Sequence, residues 1–174
     1  MQYVLKFLLC ILKWILIVVI VASLGVGAFT FCMDYANISI LVTDGMKMRT
    51  GVVLGYSNPE ELPKFFDENY LADDALLLDT TYHDYVIESF DAQVDVEKLS
   101  TVPWESVATV RVTETADING YLPIALQTPE QLADPNKIPP PPWQGATYDL
   151  TLHKQEGQWI IVDVVKDETA EQEG

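Results

Sequence analysis

Histidine and cysteine, the usual ligands and nucleophiles, are scarce in this sequence, which has only two of each. No pair of them has the spacing of a zinc site. The carboxylates lack the pattern of a calcium-binding loop, and the chain has neither a phosphate-cradling glycine loop nor a nucleophile elbow. These absences exclude the enzyme classes that such motifs mark. The sequence therefore predicts no metal, no cofactor and no assignable catalytic residue.

Positive charge is also scarce, with 10 Lys and Arg against 26 Asp and Glu. Every acidic residue lies at or beyond Asp34, and Lys6 and Lys13 are the only basic residues before it. A region this acidic repels nucleic acid and anionic lipid headgroups, so neither is an expected partner. The acidity is expected mainly to keep an exposed domain soluble, with cation binding or a basic partner as the alternative.

Charge is absent altogether from Trp14 to Met33, a run of apolar and small residues. A helix of that length spans about 30 Å, the thickness of a bilayer's hydrocarbon core. Residues 1–36 are therefore predicted to form a short cytoplasmic or interfacial N-terminus and a transmembrane helix. Because Lys6 and Lys13 precede the span and Asp34 follows it, the N-terminus is expected in the cytoplasm and residues 34–174 outside it.

A cleaved signal peptide is the alternative to a retained anchor, since residues 26–28 offer small residues for cleavage. The uncharged run is longer than the usual apolar core of a signal peptide, which favours the anchor. Ser23 and Gly27 form a small-xxx-small pair that would let two spans approach closely. Self-association through this face is a further expectation.

Residues 37–167 read as one α+β domain outside the membrane. Apolar residues recur at helical spacing over residues 37–54, which predicts an amphipathic helix that could continue the span, although Arg49 interrupts the apolar face. Asn58 and Pro59 indicate a second helix start, with Pro63 in conflict, and residues 71–78 could add another turn. The side chains expected to face the core from these helices are Ile38, Leu41, Val42, Met46, Val52, Val53, Leu62, Phe65 and Phe66.

From Thr81 the apolar period changes to two, which predicts four antiparallel strands packed on the helices. The expected inward residues are Val86, Phe90, Ala92, Val94 and Val96, then Ala108, Val110 and Val112, then Tyr148, Leu150 and Leu152. The last strand, 159–165, is apolar on both faces except at Asp163, which predicts a place near the sheet centre.

Two segments of the domain fit no strand or helix. Residues 117–145 read as an insertion, turned by Asn119-Gly120 and ending in four prolines and Trp143. The prolines favour a stiff polyproline II rod, either laid across the domain or forming a docking arm anchored by Trp143. The acidic residues 168–174 are expected to be a disordered tail.

The order of helices and strands, and the stretch Gly157-Gln158-Trp159-Ile160-Ile161-Val162-Asp163, resemble the nuclear-transport-factor-2-like superfamily, also called cystatin-like or ketosteroid-isomerase-like. The resemblance covers roughly residues 38–167. It implies a curved antiparallel sheet wrapped around a long helix to leave a cone-shaped pocket. Some members of the superfamily are isomerases or dehydratases, and many only bind or assemble. A single span carrying such a domain also looks like the assembly subunits of type IV secretion and conjugation machines, although the cytoplasmic part here is very short.

A pocket enzyme of that superfamily would need a general base and a hydrogen-bond donor for an oxyanion. The candidate bases are Asp84, Glu114 and Asp163, and the candidate donors are Tyr82, Tyr85 and Tyr148. None of them stands in a diagnostic motif, so no residue is assigned a catalytic role. The adjacent pair His83-Asp84 reads as a solvated strand edge.

Three functions follow as hypotheses. The first is a single-pass, membrane-anchored extracytoplasmic module for binding or assembly in a bacterial envelope complex of the secretion, conjugation or sporulation type. The second is a pocket domain that binds a small ligand, with or without isomerase- or dehydratase-like catalysis. The third is an accessory subunit of a membrane enzyme or transporter. The expected partners are the lipid bilayer through residues 14–33 and other proteins or a second copy of the chain, with a small ligand left open.

Overall fold

The computed structural model describes residues 2–102, 104–128 and 138–168, with the backbone alone for residues 2–6 and 8–10. Its first element is one uninterrupted helix, α1, which spans Gln2–Val53. Within the described residues, α1 is the single helix long and apolar enough to cross a membrane. Nearly all its side chains between Trp14 and Met33 are exposed, whereas Ile38, Val42 and Met46 are fully buried. The apolar run and the predicted amphipathic helix are therefore one element.

Two short helices follow α1 and cover one side of the core. A 3₁₀ helix, Pro59–Lys64, is capped by the Asn58 side chain, which accepts a hydrogen bond from the Glu60 backbone N–H. Pro63 lies inside this helix, which explains why the predicted start produces a tight 3₁₀ turn. The second helix, α2, spans Glu68–Asp73 and ends before most of the predicted 71–78 turn.

Four strands form a curved, open antiparallel sheet in the order β1-β2-β3-β4. They are β1 Val86–Thr101, β2 Val107–Tyr121, β3 Ala146–Gln155 and β4 Gln158–Lys166. The inward face of β2 and β3 follows the predicted alternation. A turn with positive φ at Glu156 and Gly157 joins β3 to β4. The α+β class and the antiparallel sheet are thus confirmed.

The core lies between α1 and the inner face of the sheet, closed at one side by the two short helices. It is apolar apart from one polar cluster. Its buried apolar members are Ile38, Val42, Met46, Leu62, Phe66, Ala108, Val110, Val112, Ala146, Tyr148, Leu150, Leu152, Trp159 and Ile161.

Three strand predictions are wrong. The first is the central place of β4, which lies at a sheet edge. Its outer edge is partly covered by residues 65–67, because the Asp67 N–H donates to the Ile161 carbonyl at 2.8 Å and the Ile161 N–H donates to the Phe65 carbonyl at 2.9 Å. On the face opposite Trp159 and Ile161, Ile160 and Val162 are only half-buried, so apolar residues on both faces do not require a strand on each side.

The second correction concerns the predicted insertion, because β2 continues to Tyr121 and takes its first five residues. Asn119 pairs with Ser89 and Gly120 with Ile87, so Asn119-Gly120 is strand rather than turn. A Cβ on Gly120 would lie 2.4 Å from the Val86 carbonyl oxygen, so the glycine permits a close approach of two backbones.

The third correction is Val86, which is exposed rather than inward. The β1–β2 register shifts between Ile87 and Ser89, leaving Glu88 as an extra residue, and shifts again around Glu97. Each bulge moves the residues beyond it to the opposite face. Glu88, a charged residue at a position where the alternation from Val86 to Phe90 calls for an apolar one, marks the first bulge.

The described part of the proline segment, 138–145, lies against the domain without regular secondary structure. The Trp143 ring stacks on Tyr82 with centroids 5.8 Å apart, and the Tyr82 hydroxyl donates to the Pro142 carbonyl at 3.4 Å. Trp143 therefore packs on its own chain. The predicted tail lies outside the described residues except at Glu168.

Candidate functional site

A buried ion pair joins α1 to the end of α2. Arg49 is 5 % exposed, and its Nε and Nη2 donate to the two carboxylate oxygens of Asp74 at 2.6 and 2.7 Å. Asp74 also accepts hydrogen bonds from the Tyr70 hydroxyl and the Leu76 N–H, at 3.1 and 3.0 Å. Burial alone would raise the pKa of Asp74, but the hydrogen bonds and charge of Arg49 hold it below its usual range.

A second carboxyl group, that of Glu114, is buried completely between β2 and α1. One oxygen accepts a hydrogen bond from the Thr50 hydroxyl, and the other, Oε2, has no hydrogen-bond partner among the described residues. Burial raises the pKa of Glu114, against the smaller opposing effects of Thr50 and the Arg49 charge. Glu114 is therefore a carboxyl group that the fold favours in its neutral form.

Tyr148 on β3 completes the polar cluster, which consists of Arg49, Thr50, Tyr70, Asp74, Glu114 and Tyr148. The Arg49 guanidinium carbon lies 5.7 Å from the centre of the Tyr148 ring. Burial and the nearby Glu114 raise the pKa of the Tyr148 hydroxyl, and burial also raises that of Tyr70. Both phenols are thus neutral hydrogen-bond donors at neutral pH.

An open groove of about 730 Å³ lies beside this cluster. Arg49, Tyr70, Asp74 and Tyr148 form its inner wall, and carboxylates from elsewhere in the chain join them. The Nη1 atom of Arg49 is buried and has no partner in the described part of the chain. The wall of the groove therefore contains a guanidinium group with one buried, unpartnered nitrogen, together with two phenols. Its remaining lining residues are Asp73, Ala75, Leu76, Leu78, Asp79, Asp163, Val164 and Lys166.

A smaller cavity of about 260 Å³ adjoins the groove under the proline segment. It shares Leu76, Asp79, Tyr148 and Lys166 with the groove, and Trp143 and Tyr82 form its other wall. The indole N–H of Trp143 is also buried without a hydrogen-bond partner among the described residues. Arg49 and Trp143, each with a buried donor that has no partner among the described residues, thus line two adjoining cavities.

The candidate general bases and hydrogen-bond donors named from the sequence lie in different parts of the structure. Glu114 and Tyr148 come together in the polar cluster, and Asp163 lines the groove although it is exposed. Tyr82 is buried against Trp143, whereas Asp84 is exposed and Tyr85 is half-buried at a third cavity, away from the cluster. Glu114 is buried and is not among the residues that line the groove, so a ligand in the groove would not contact it directly.

Sequence reasoning missed Arg49, Tyr70 and Asp74. A signal for Arg49 was present, because it interrupts an otherwise apolar helix face, where a buried charge calls for a partner. Nothing comparable marks Asp74 among the many acidic residues. Within the described residues no cluster of three or more His, Cys, Asp or Glu side chains could hold a metal ion.

No protein-family model, curated protein or solved structure matches the chain. The resemblance to the nuclear-transport-factor-2-like superfamily therefore stays a prediction.

Proposed function

We propose that the protein is a single-pass, membrane-anchored module for binding or assembly in a bacterial envelope complex, with its N-terminus in the cytoplasm and its domain outside. The observation that carries the proposal is the continuity of α1. The apolar stretch Trp14–Met33 passes into the buried face at Ile38 with no break in the helix. A flexible tether would let the domain tumble, whereas a continuous helix holds it in one orientation.

Contacts at the base of the domain support this rigid mount. Asp34, the first residue after the apolar run, accepts hydrogen bonds from the Lys154 ammonium at 2.8 Å and the Trp159 indole N–H at 3.2 Å. The Lys154 ammonium also lies 5.3 Å from the centre of the Trp159 ring. The β3–β4 hairpin is thereby fastened to α1 at the end of the span, which suits a subunit that must present one surface to neighbours.

The test of the assembly role is a flexible insertion of about ten Gly and Ser residues after Tyr35. It should leave the domain folded but release it from its fixed orientation, so chemical crosslinking in the native membrane should lose its partner bands. The same linker appended after Gly174 is the matched control. Unchanged crosslinks and unchanged cellular function in the first variant would contradict the assembly role.

The orientation is tested separately with reporters fused after Gly174. Because Lys6 and Lys13 favour a cytoplasmic N-terminus, a phosphatase that is active only outside the cytoplasm should be active in this fusion. A fluorescent protein that folds only in the cytoplasm should be dark. The reverse pattern would overturn the orientation.

Small-ligand binding is the second candidate, and the unpartnered Nη1 of Arg49 at the groove favours it. That donor calls for an acceptor oxygen, while Asp73, Asp79 and Asp163 disfavour a ligand with net negative charge. The groove suits a small neutral or zwitterionic molecule that carries a carbonyl or carboxylate oxygen.

A fragment screen of such molecules tests this candidate on the full-length protein by thermal shift. Fragments that raise the melting temperature should do so less in Tyr148→Phe, which removes a hydroxyl at the groove. Asp149→Asn, on the exposed face of the sheet, is the control and should respond as the wild type does. Equal shifts in all three proteins would place binding elsewhere.

A further inference from the structure

Trp104 is the most exposed large apolar side chain in the described part of the chain, at 83 % of its full surface. It lies in the tight connection between β1 and β2, where the Glu105 N–H donates to the Val102 carbonyl at 3.0 Å. Tryptophan is enriched at protein interfaces and at membrane surfaces, where one end of its ring meets an apolar environment and the other meets water. The position of Trp104 relative to α1 indicates which kind of surface it contacts.

The β1–β2 connection lies at the same level as the end of the apolar run of α1. Lys154 contacts Asp34 through its side chain, and its backbone N–H donates to the Ser106 carbonyl at 2.8 Å. Ser106 therefore lies near the level of Asp34.

The far ends of α1 and β2 agree with this placement. Thr50 of α1 is hydrogen-bonded to Glu114 of β2. From Asp34 to Thr50 a helix rises about 24 Å, and from Ser106 to Glu114 a strand rises about 26 Å. The two elements thus run side by side in the same direction, and Trp104 lies beyond Ser106 on the side of the span.

We propose that Trp104 inserts into the outer headgroup layer of the bilayer that α1 spans, as a second membrane contact of the domain. Two residues beyond Ser106 reach up to about 7 Å further, which matches the roughly 5–8 Å of headgroup region outside the hydrocarbon core. Tryptophan prefers this depth because its ring is amphipathic. Glu105 and Glu156, exposed on the two neighbouring turns, keep the contact shallow and favour zwitterionic over anionic lipid.

The contact rests on α1 being a membrane span, and the experiment separates the two. Full-length protein with Cys10→Ser and Cys32→Ser receives one new cysteine, labelled with an environment-sensitive fluorophore, in phosphatidylcholine nanodiscs. The probe sites are Trp104→Cys at the connection, Ile124→Cys at the opposite end of β2 and Val21→Cys in the span. Ile124 is 74 % exposed, so it is a matched control for an exposed apolar residue.

Lipids with a nitroxide on the headgroup should quench the probe at position 104 at least about twofold more than the probe at 124. Lipids with the nitroxide at the chain end should quench the probe at 21 and leave that at 104 almost unchanged. Equal quenching at 104 and 124, with 21 quenched, would overturn the Trp104 contact alone. An unquenched probe at 21 would overturn the span and the contact together. Glu105→Cys, on the same connection, repeats the measurement if Trp104→Cys lowers the melting temperature.

Discussion

At the scale of single residues, the unusual feature is a pair of carboxyl groups with opposite titration behaviour in one polar cluster. Arg49 keeps Asp74 charged, whereas Glu114 is buried with only the Thr50 hydroxyl to bind it. A buried pair tolerates its desolvation only while both partners are present. The two carboxyl groups should therefore respond differently to mutation and to pH.

Asp74→Asn should lower the free energy of unfolding by about 3–5 kcal/mol, because it leaves the Arg49 charge buried without its counter-ion. Denaturant unfolding of the full-length protein in detergent measures the loss. Asp149→Asn is the control, since it breaks a similar two-point contact with Arg111 on the exposed face of the sheet. Solvent screens that pair, so little loss is expected. Equal losses in the two variants would mean that Arg49 is not desolvated.

Glu114→Gln should change how stability depends on pH. Because the folded state raises the pKa of Glu114, it binds more protons than the unfolded state between the ordinary glutamate pKa and the raised value. Wild-type stability should therefore fall as pH rises through that window, by about 1.4 kcal/mol for each unit of difference. The variant cannot titrate there, so it should gain on the wild type as pH rises through that window. A stability difference that is constant over this range would contradict the raised pKa.

Some residues of the polar cluster can be predicted from the sequence, and others cannot. Arg49 was visible as a break in an apolar face, and Glu114 and Tyr148 as polar residues at inward strand positions. Their meeting depends on the packing of α1 against β2 and β3, which periodicity does not specify. Asp74 could not be identified from the sequence, because its pairing with Arg49 depends on where α2 ends and not on its neighbours in sequence.

At the scale of elements, β4 holds the base of the domain together. Trp159 is 6 % exposed within the core, and its indole N–H reaches Asp34 on α1. Ile161 is fully buried and hydrogen-bonds the segment that enters α2. The strand thus joins the long helix to the short ones from the edge of the sheet.

Trp159→Ala should lower the free energy of unfolding by about 3–5 kcal/mol, as expected for a buried tryptophan. Trp104→Ala removes the same side chain from an exposed connection, so in detergent-solubilised protein it should change stability little. Denaturant melts followed by circular dichroism compare the two variants. A loss below about 1 kcal/mol for Trp159→Ala would mean that β4 does not pack on α1 as the structure has it.

Strand periodicity predicted the four strands and most inward residues, yet it placed β4 centrally and Val86 inward. Periodicity shows which side chains are apolar, but it does not show what pairs with the edge of a strand. Pairing of β4 with segment 65–67 therefore cannot be distinguished in the sequence from pairing with another strand. It also assumes a constant register, which the bulges at Glu88 and Glu97 break. The turn predicted at Asn119-Gly120 is wrong for a related reason. In a sequence, a glycine needed for the close approach of two strands cannot be distinguished from one needed for a turn.

At the scale of the whole molecule, the central feature is the rigid connection between a bilayer-length apolar helix and an acidic domain. Continuity of α1 was predictable, because no glycine- or proline-rich linker separates Met33 from Ile38. The fastening of Lys154 and Trp159 to Asp34 was not, since it joins residues more than a hundred positions apart. Rigid mounting makes the orientation of every surface of the domain a fixed property relative to the apolar run of α1.

The most direct measurement of this rigid mount is the distribution of distances between spin labels at Val21→Cys in the span and Ile124→Cys at the far end of the domain. The full-length protein carries Cys10→Ser and Cys32→Ser and is measured in nanodiscs by pulsed electron paramagnetic resonance. Because α1 is continuous and fastened at Asp34, one narrow distance distribution is expected. It should broaden when the flexible linker is inserted after Tyr35. A distribution that is already broad without the linker, and unchanged by it, would contradict the rigid mount and remove the basis for the assembly role.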